Sequence, residues 1–192
     1  MPRIQNQIMK NKIALTFLLL LAVGFCMAQD KVTDIGIEFQ AYPTGLIPGL
    51  RMEHAFSEKN LGTLRLGYQF IDHRDQGKHD DETGQGFGGS LGFKHYFKPG
   101  YKGLSLGLRS DLWANRIDWV IIGDKPGNIT GTTDILVLQP TLEAGWGLVF
   151  GEKFVFTPTA AFGFEINIKT EGQPTGEGAI VLLGLNLAYR IE

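Results

Sequence analysis

From Phe154 to Ile168 every second position is apolar or proline: Phe154, Phe156, Pro158, Ala160, Phe162, Phe164, Ile166 and Ile168 alternate with Val155, Thr157, Thr159, Ala161, Gly163, Glu165 and Asn167. Successive side chains of a strand point to opposite faces, so this stretch is one ribbon with a greasy side and a small or polar side. It is more than twice as long as an ordinary strand of ~5–6 residues. The same alternation recurs along the chain, for example in Ile35, Ile37 and Phe39, in Leu64, Leu66, Tyr68 and Phe70, in Leu104, Leu106 and Leu108, and in Val181 through Ile191. Period two dominates and no stretch of helical period stands out. Eight strands are predicted, at about 32–42, 49–56, 62–72, 86–97, 103–120, 134–150, 154–168 and 178–191. The second carries the weakest pattern. In "DLWANRIDWVII", residues 111–122, the apolar positions slip in phase, and a bulge is expected in the fifth strand.

The connections fall into two classes. Strands two, four and six are followed by "SEKN", "KPGYK" and "GEK", which are tight turns. Strands one, three, five and seven are followed by "PTGLIPG", "RDQGKHDDETGQ", "GDKPGNITGTTD" and "TEGQPTGE", mostly long and polar. An even number of antiparallel strands with short turns at one end and longer loops at the other is the layout of an up-and-down transmembrane β-barrel, all-β and eight-stranded. Both termini then lie at the short-turn end.

A soluble secreted barrel of lipocalin type also has eight alternating strands, but its apolar face points inward. Glycine separates the two readings. Gly36, Gly67, Gly92, Gly107, Gly145, Gly147, Gly163 and Gly184 lie on the polar faces, interleaved with charges. A water-facing surface has no use for residues that weaken a strand interior, whereas a narrow lumen needs small side chains beside large ones. The strands are also long enough to cross a bilayer when tilted, which takes ~9–11 residues. The apolar face is therefore expected to meet lipid, with Phe154 and Phe156, joined by Tyr101, Phe150 and Tyr189, in an aromatic girdle at the short-turn end.

Composition alone would hide this. Apolar residues make up 43% of the chain and the mean hydropathy is -0.01, as for a soluble protein. Lys and Arg number 18 against 20 Asp and Glu, a formal net charge of -2, so nothing favours a nucleic-acid partner. The N-terminus adds an address. Lys10 and Lys12 precede an apolar run from Ile13 to Phe25, then Cys26-Met27-Ala28 before Gln29. A basic segment, a short apolar segment and a small residue at the cleavage point make a secretory signal peptide over residues 1–28, with Met9 as an alternative start. A run of thirteen residues is too short for a spanning helix, which needs ~20. Cleavage between Ala28 and Gln29 would export residues 29–192 as one barrel domain and remove Cys26, the single cysteine, leaving neither disulfide nor thiol chemistry.

On these grounds residues 29–192 resemble the small eight-stranded outer-membrane β-barrel proteins of Gram-negative bacteria, of OmpA/OmpX type. The closing "GLNLAYRIE", with Gly184, Leu187 and Tyr189, is similar to the C-terminal signal of such barrels, departing from it in the final Ile191-Glu192 and in Leu182 where a polar residue is usual. The resemblance implies location in the cell outer membrane among lipid and lipopolysaccharide, insertion by the barrel-assembly machinery, and no enzymatic activity or cofactor.

The inward face carries Asp34, Glu38, Glu53, Asp111, Glu143 and Glu165 against Arg51, Arg65, Lys94, Arg109 and Arg190. Isolated buried charges are costly, so a salt-bridge network filling the lumen is expected, in a monomer. A gated ion path is the functional alternative. A lipid-modifying enzyme of deacylase or acyltransferase type would need His, Ser and a carboxylate converging at the membrane surface. His54 and His95 lie near the short turns, but Ser90 and His95, five apart, fall on opposite faces of a strand. "HRDQGKHDDE" gathers His73, His79, Asp80, Asp81 and Glu82 in one loop without the spacing of a calcium loop, leaving loose divalent-cation or lipopolysaccharide contact. The reading is a non-enzymatic structural or surface-recognition barrel that acts through loops 73–85, 123–133 and 169–177.

Overall fold

The computed structural model describes residues 32–74, 77–123 and 127–191. The signal-peptide expectation, with Met9, Cys26, Ala28 and Gln29, lies outside them. The alternating segments form eight strands, β1 (Thr33–Tyr42), β2 (Gly45–Ala55), β3 (Asn60–Arg74), β4 (Asp81–Tyr96), β5 (Gly103–Ile121), β6 (Ile129–Phe150), β7 (Phe154–Glu171) and β8 (Gly178–Ile191). Each pairs antiparallel with the next, and β1 pairs with β8 from Thr33↔Ile191 to Ala41↔Leu183, closing the barrel. No described helix is long and apolar enough to cross a membrane.

Strands reach further toward the loop end than their patterns suggest. β2 begins at Gly45, so the expected seven-residue "PTGLIPG" connection shrinks to a turn of Pro43 and Thr44, with Tyr42 and Gly45 paired across it. The pattern hides this because Pro48 and Gly49 are poor strand residues. Pro48, Pro140 and Pro158 each pair on one side, with Phe39, Ser110 and Leu185, while the ladder on the other side skips them, as the missing N–H requires. Loops 73–85, 123–133 and 169–177 likewise contract, to 75–80, 122–128 and 172–177. At the other end the turns stay tight; Gly151 and Glu152 both adopt positive φ, 57° and 67°, to reverse the chain between β6 and β7.

The two faces have the polarity of a membrane barrel. Leu108 and Leu183 are 66% and 64% exposed, while Glu38 and Asp111 are 0% exposed. Apolar side chains outside and charges inside is the inverse of a water-soluble barrel, and excludes the lipocalin arrangement. On β5 the outward run from Leu104 to Ala114, apolar except for Ser110, has the length that crosses a bilayer. Phe150, Phe154 and Tyr189 face outward at the short-turn end, Phe154 and Tyr189 edge to face at 5.4 Å. Tyr101, expected in that girdle, turns inward instead. Its ring packs on Tyr96 at 6.0 Å and its hydroxyl donates to the Ser57 carbonyl at 2.7 Å, so the turn folds back to close the barrel end.

The bulge expected in β5 is absent; its inward positions run without a break through Asp111, Trp113, Asn115, Ile117 and Trp119. The apparent slip is a change of solvent. Above Ala114 the outer face meets water and carries Arg116 and Asp118, while the inner face turns apolar to cover the lumen. Among the described residues the register shifts between β6 and β7, where Leu136↔Lys169 is followed by Val137↔Asn167 and Ile168 is left unpaired.

The interior is layered. Toward the loops lies an apolar cluster that includes Ile47, Trp113, Ile117, Ile135, Ile180 and Leu182. Toward the short turns lies a second, of Ala55, Leu61, Tyr96 and Tyr101. Leu182, the departure from the usual closing strand, belongs to the first. Glycine makes the large rings fit: a Cβ at Gly88 would meet the Trp113 ring at 2.1 Å. The depth dependence is testable by urea unfolding from lipid vesicles. Leu108→Arg, at the middle of the belt, should cost about 2–4 kcal/mol, and Thr130→Arg, on the outer face above it, less than about 1.

Candidate functional site

Between the two apolar clusters β1 to β6 project eight charges into one ionic layer: Glu38 from β1, Arg51 and Glu53 from β2, Arg65 from β3, Lys94 from β4, Arg109 and Asp111 from β5, and Glu143 from β6. Alternation on every strand turns these polar positions inward, and the short lumen brings them within bonding distance. Arg51 contacts Glu38 and lies 2.9 Å from Glu53 and 3.0 Å from Glu143. Arg65 bridges Glu38 at 3.1 Å and Asp111 at 2.7 Å. Arg109 bridges Asp111 at 3.1 Å and Glu143 at 2.8 Å, and Lys94 holds Glu53 at 2.6 Å. Four cations face four carboxylates, so the layer is neutral. The guanidinium planes give each arginine several donors, which suits carboxylates arranged around it. Gln40 and Ser90, uncharged and so not singled out from the sequence, complete it: Gln40 Oε1 accepts from Arg65 and from Arg109 at 3.1 Å, and Ser90 Oγ accepts from Arg65 Nε at 3.1 Å. The space enclosed by Arg51, Lys94, Arg109 and Glu143 is too small for one water molecule.

The other three lumen charges stand apart. Asp34 and Arg190 form their own two-pronged pair at 2.8 and 2.9 Å across the β1–β8 seam. Glu165 lies toward the loop end. Among the described residues it accepts a hydrogen bond from Gln69 Nε2 at 3.5 Å and forms no ion pair with a lysine or arginine, His73 acting on it only through longer-range electrostatics.

Above the apolar belt a different carboxylate organises the loops. Glu82 is buried at the start of β4, on the loop side of outward Gln85 and Phe87. Its oxygens lie 3.4 Å from His73 Nδ1 and 2.9 Å from His79 Nδ1, and accept the backbone N–H groups of Lys78 at 3.0 Å and Gly176 at 3.1 Å. It thus ties the β3–β4 loop to the β7–β8 loop across the mouth. Burial would raise its pKa, but these hydrogen bonds outweigh it and bring it to about 2. A lowered carboxyl pKa means that the clasp is fully present above the ordinary value of 4.5 and is lost only as pH falls toward 2. His79 also stacks on Trp119, centroids 4.4 Å apart. The loop cluster His73, His79, Asp80, Asp81 and Glu82 is therefore partly an internal brace. Asp80 caps the Ile122 N–H at 2.6 Å. No metal-binding group occurs among the described residues.

The remaining histidines face outward at the short-turn end. His54 Nδ1 meets Thr33 Oγ1 at 2.9 Å and His95 Nδ1 meets Asn60 Oδ1 at 2.7 Å. Ser90 points into the lumen, away from both.

No protein-family model and no curated protein sequence matches the chain. Among solved structures, the chain is similar to the N-terminal β-barrel domain of Pseudomonas aeruginosa OprF, with 14% identity over 85% of this chain and 98% of that one and a TM-score of 0.46. It is also similar to Ail, the attachment invasion locus protein of Yersinia pestis, with 9% identity over 84% and 97% and a TM-score of 0.47. Neisserial surface protein A gives 10% identity over 84% and 94%, with a TM-score of 0.42. At such identities and scores the likeness adds nothing to the closed barrel seen in the chain itself.

Two outcomes follow from these contacts. Glu38→Gln, which strands Arg51 and Arg65 partners, should cost about 3–5 kcal/mol in urea unfolding followed by tryptophan fluorescence, whereas Glu165→Gln should cost less than about 1. Glu82→Ala should speed hydrogen exchange at the Lys78 and Gly176 amides while leaving strand amides in β1 and β2 unchanged.

Proposed function

We propose that the chain is a non-enzymatic, monomeric barrel of a Gram-negative outer membrane, with a plugged lumen and a structural or recognition role exercised at its loop end. The observation that carries this reading is the neutral ionic layer, packed across the lumen between two apolar clusters. A pore needs a continuous wet path, and a buried layer in which every charge faces an opposite one is a cross-brace. The lipid and lipopolysaccharide of that membrane are its surroundings, and the barrel-assembly machinery its route in, after export by the segment 1–28.

Orientation follows from the loops. The turns 56–59 and 97–102 are tied to each other, Tyr101 donating to the Ser57 carbonyl at 2.7 Å and the Gly100 N–H to the Glu58 carbonyl at 3.3 Å, which leaves little chain free to bind a partner. The turn 151–153 is shorter still, and Thr33 of β1 and Ile191 of β8 lie at the same end. The opposite end carries the loops 75–80, 122–128 and 172–177 on strands that rise above the belt, and recognition in such barrels belongs to that end. It is therefore assigned to the cell exterior, with Glu192 in the periplasm.

In planar bilayers the reconstituted protein should give no steady porin-like current. An epitope tag after Glu192 should be reached by antibody only once the outer membrane is permeabilised; labelling on intact cells would reverse the orientation and remove the surface role built on it.

A further inference from the structure

The unpaired acid in the lumen stands where a ligand can reach it. Glu165 lies on β7 opposite Gly178, the first residue of β8, and so at the loop end. It lines a cavity of about 270 Å³ together with Tyr42, Pro43, Glu177, Ala179 and Ile180. The cavity sits where the rim is low, because β1 and β2 end at the Pro43–Thr44 turn while β7 continues to Glu171. A second space of about 20 Å³, the size of a single small group, lies beside it and shares Glu165 and His73.

The hydrogen-bond polarity of this region is fixed from its ends. The Phe70 carbonyl can only accept, so Tyr42 must donate to it, at 2.9 Å. Gln69 Nε2 must then donate to the Tyr42 oxygen, at 3.1 Å, and Gln69 Oε1 must accept from Asn115 Nδ2, at 2.9 Å. Asn115 Oδ1 is left buried with no donor. The same logic holds opposite. The Gly176 carbonyl accepts from Asn167 Nδ2 at 3.4 Å, and Asn167 Oδ1 is likewise buried without a donor. Glu177 has already taken the Asn167 N–H, at 3.0 Å. These amides cannot be turned over to relieve the imbalance, because each is locked by a backbone carbonyl or by a group so locked. The two orphan acceptors lie at the smaller space, and Glu165, which lines both spaces, sets a carboxylate between them and the larger cavity. His73, the other titratable group at both cavities, has Nδ1 directed at Glu82.

We propose that this pocket binds the ammonium group of a short aliphatic primary amine, with Glu165 as its counter-ion. A primary ammonium is a compact cation with three donors and no acceptor, which suits a pocket floored by a carboxylate and bordered by buried acceptors without donors. Pro43 and the inward Ile180 supply an apolar side for a short carbon chain. An anion would meet both Glu165 and Glu177. A quaternary ammonium would bring charge without N–H groups. The site lies beyond the ionic layer, so occupancy leaves the plug intact. It rests on the surface-recognition reading only for access from outside the cell.

The test is calorimetric titration of the full mature protein in detergent micelles with n-butylammonium, tetramethylammonium and 1-butanol, the last two lacking the N–H donors and the charge respectively. Saturable binding of n-butylammonium, at least about tenfold tighter than either control, is expected. Glu165→Gln, checked for folding by its heat-dependent gel migration, should weaken it by about tenfold or more, and Glu58→Gln at the far end should not. Equal affinity for the three probes, unchanged binding in Glu165→Gln, or displacement of the amine by calcium at comparable concentration would each overturn the proposal. The wild-type probe series decides the matter even if the variant fails to fold. Because micelles have no sides, failure here leaves the orientation reading standing, and tag exposure on intact cells leaves this one standing.

Discussion

Inside hydrocarbon a backbone amide has no water to turn to, and every other feature of this molecule answers to that constraint. Eight strands satisfy it only by closing on themselves, with β1 against β8. Closure sets alternate side chains to face lipid and lumen, so the outward row must be apolar and whatever is polar must point inward. A lumen this narrow cannot hydrate what it receives, and the eight central charges have to satisfy one another. The ladder is relaxed in only a few places, beside Pro48, Pro140 and Pro158, where one neighbouring strand still pairs.

Period two made the strands, their order and the inside-out polarity readable, because both solvents act on the same alternation. Legibility failed where a solvent changes. At Ile117 and Trp119 the outer environment passes from lipid to water and the pattern inverts, which mimics a bulge in a linear reading although the strand is regular. It failed again where a local rule was overruled from outside: Pro48 and Gly49 obscure a strand that its neighbours hold in place, and Tyr101 leaves the interface because a carbonyl and a second tyrosine await it inside. The inward charges could be named from parity alone. Which of them would pair could not, since pairing depends on height along the barrel. Glu165 faces inward like Glu143 yet lies two inward positions beyond Ala161, the partner of Glu143, and no arginine of the layer pairs with it. Gln40 and Ser90 carried no charge to mark them.

The two ends are built on different principles. At the short-turn end, tight reversals and inward tyrosines finish the barrel with little exposed chain. At the loop end, strands of unequal height leave a tall wall from β3 to β7 and a low one from β8 to β2, and a single buried carboxylate draws two loops together over the opening. Internal bracing there competes with display. Several polar side chains that a sequence marks as surface features are spent holding the loops, which narrows the set left to face a partner.

The distribution of the ionic layer among hairpins bears on how the barrel is made. Glu38, Arg51 and Glu53 leave the β1–β2 hairpin at -1; Arg65 and Lys94 leave β3–β4 at +2; Arg109, Asp111 and Glu143 leave β5–β6 at -1. None of these three contributions is neutral alone, and the layer becomes neutral only when all three hairpins share one lumen. A hairpin crossing the bilayer by itself would carry naked charge through hydrocarbon, so sequential threading is penalised at each step. Assembly is therefore pushed toward a concerted event, in which the strands meet at the membrane surface and enter together, with charge cancellation as the latch that makes retreat slow.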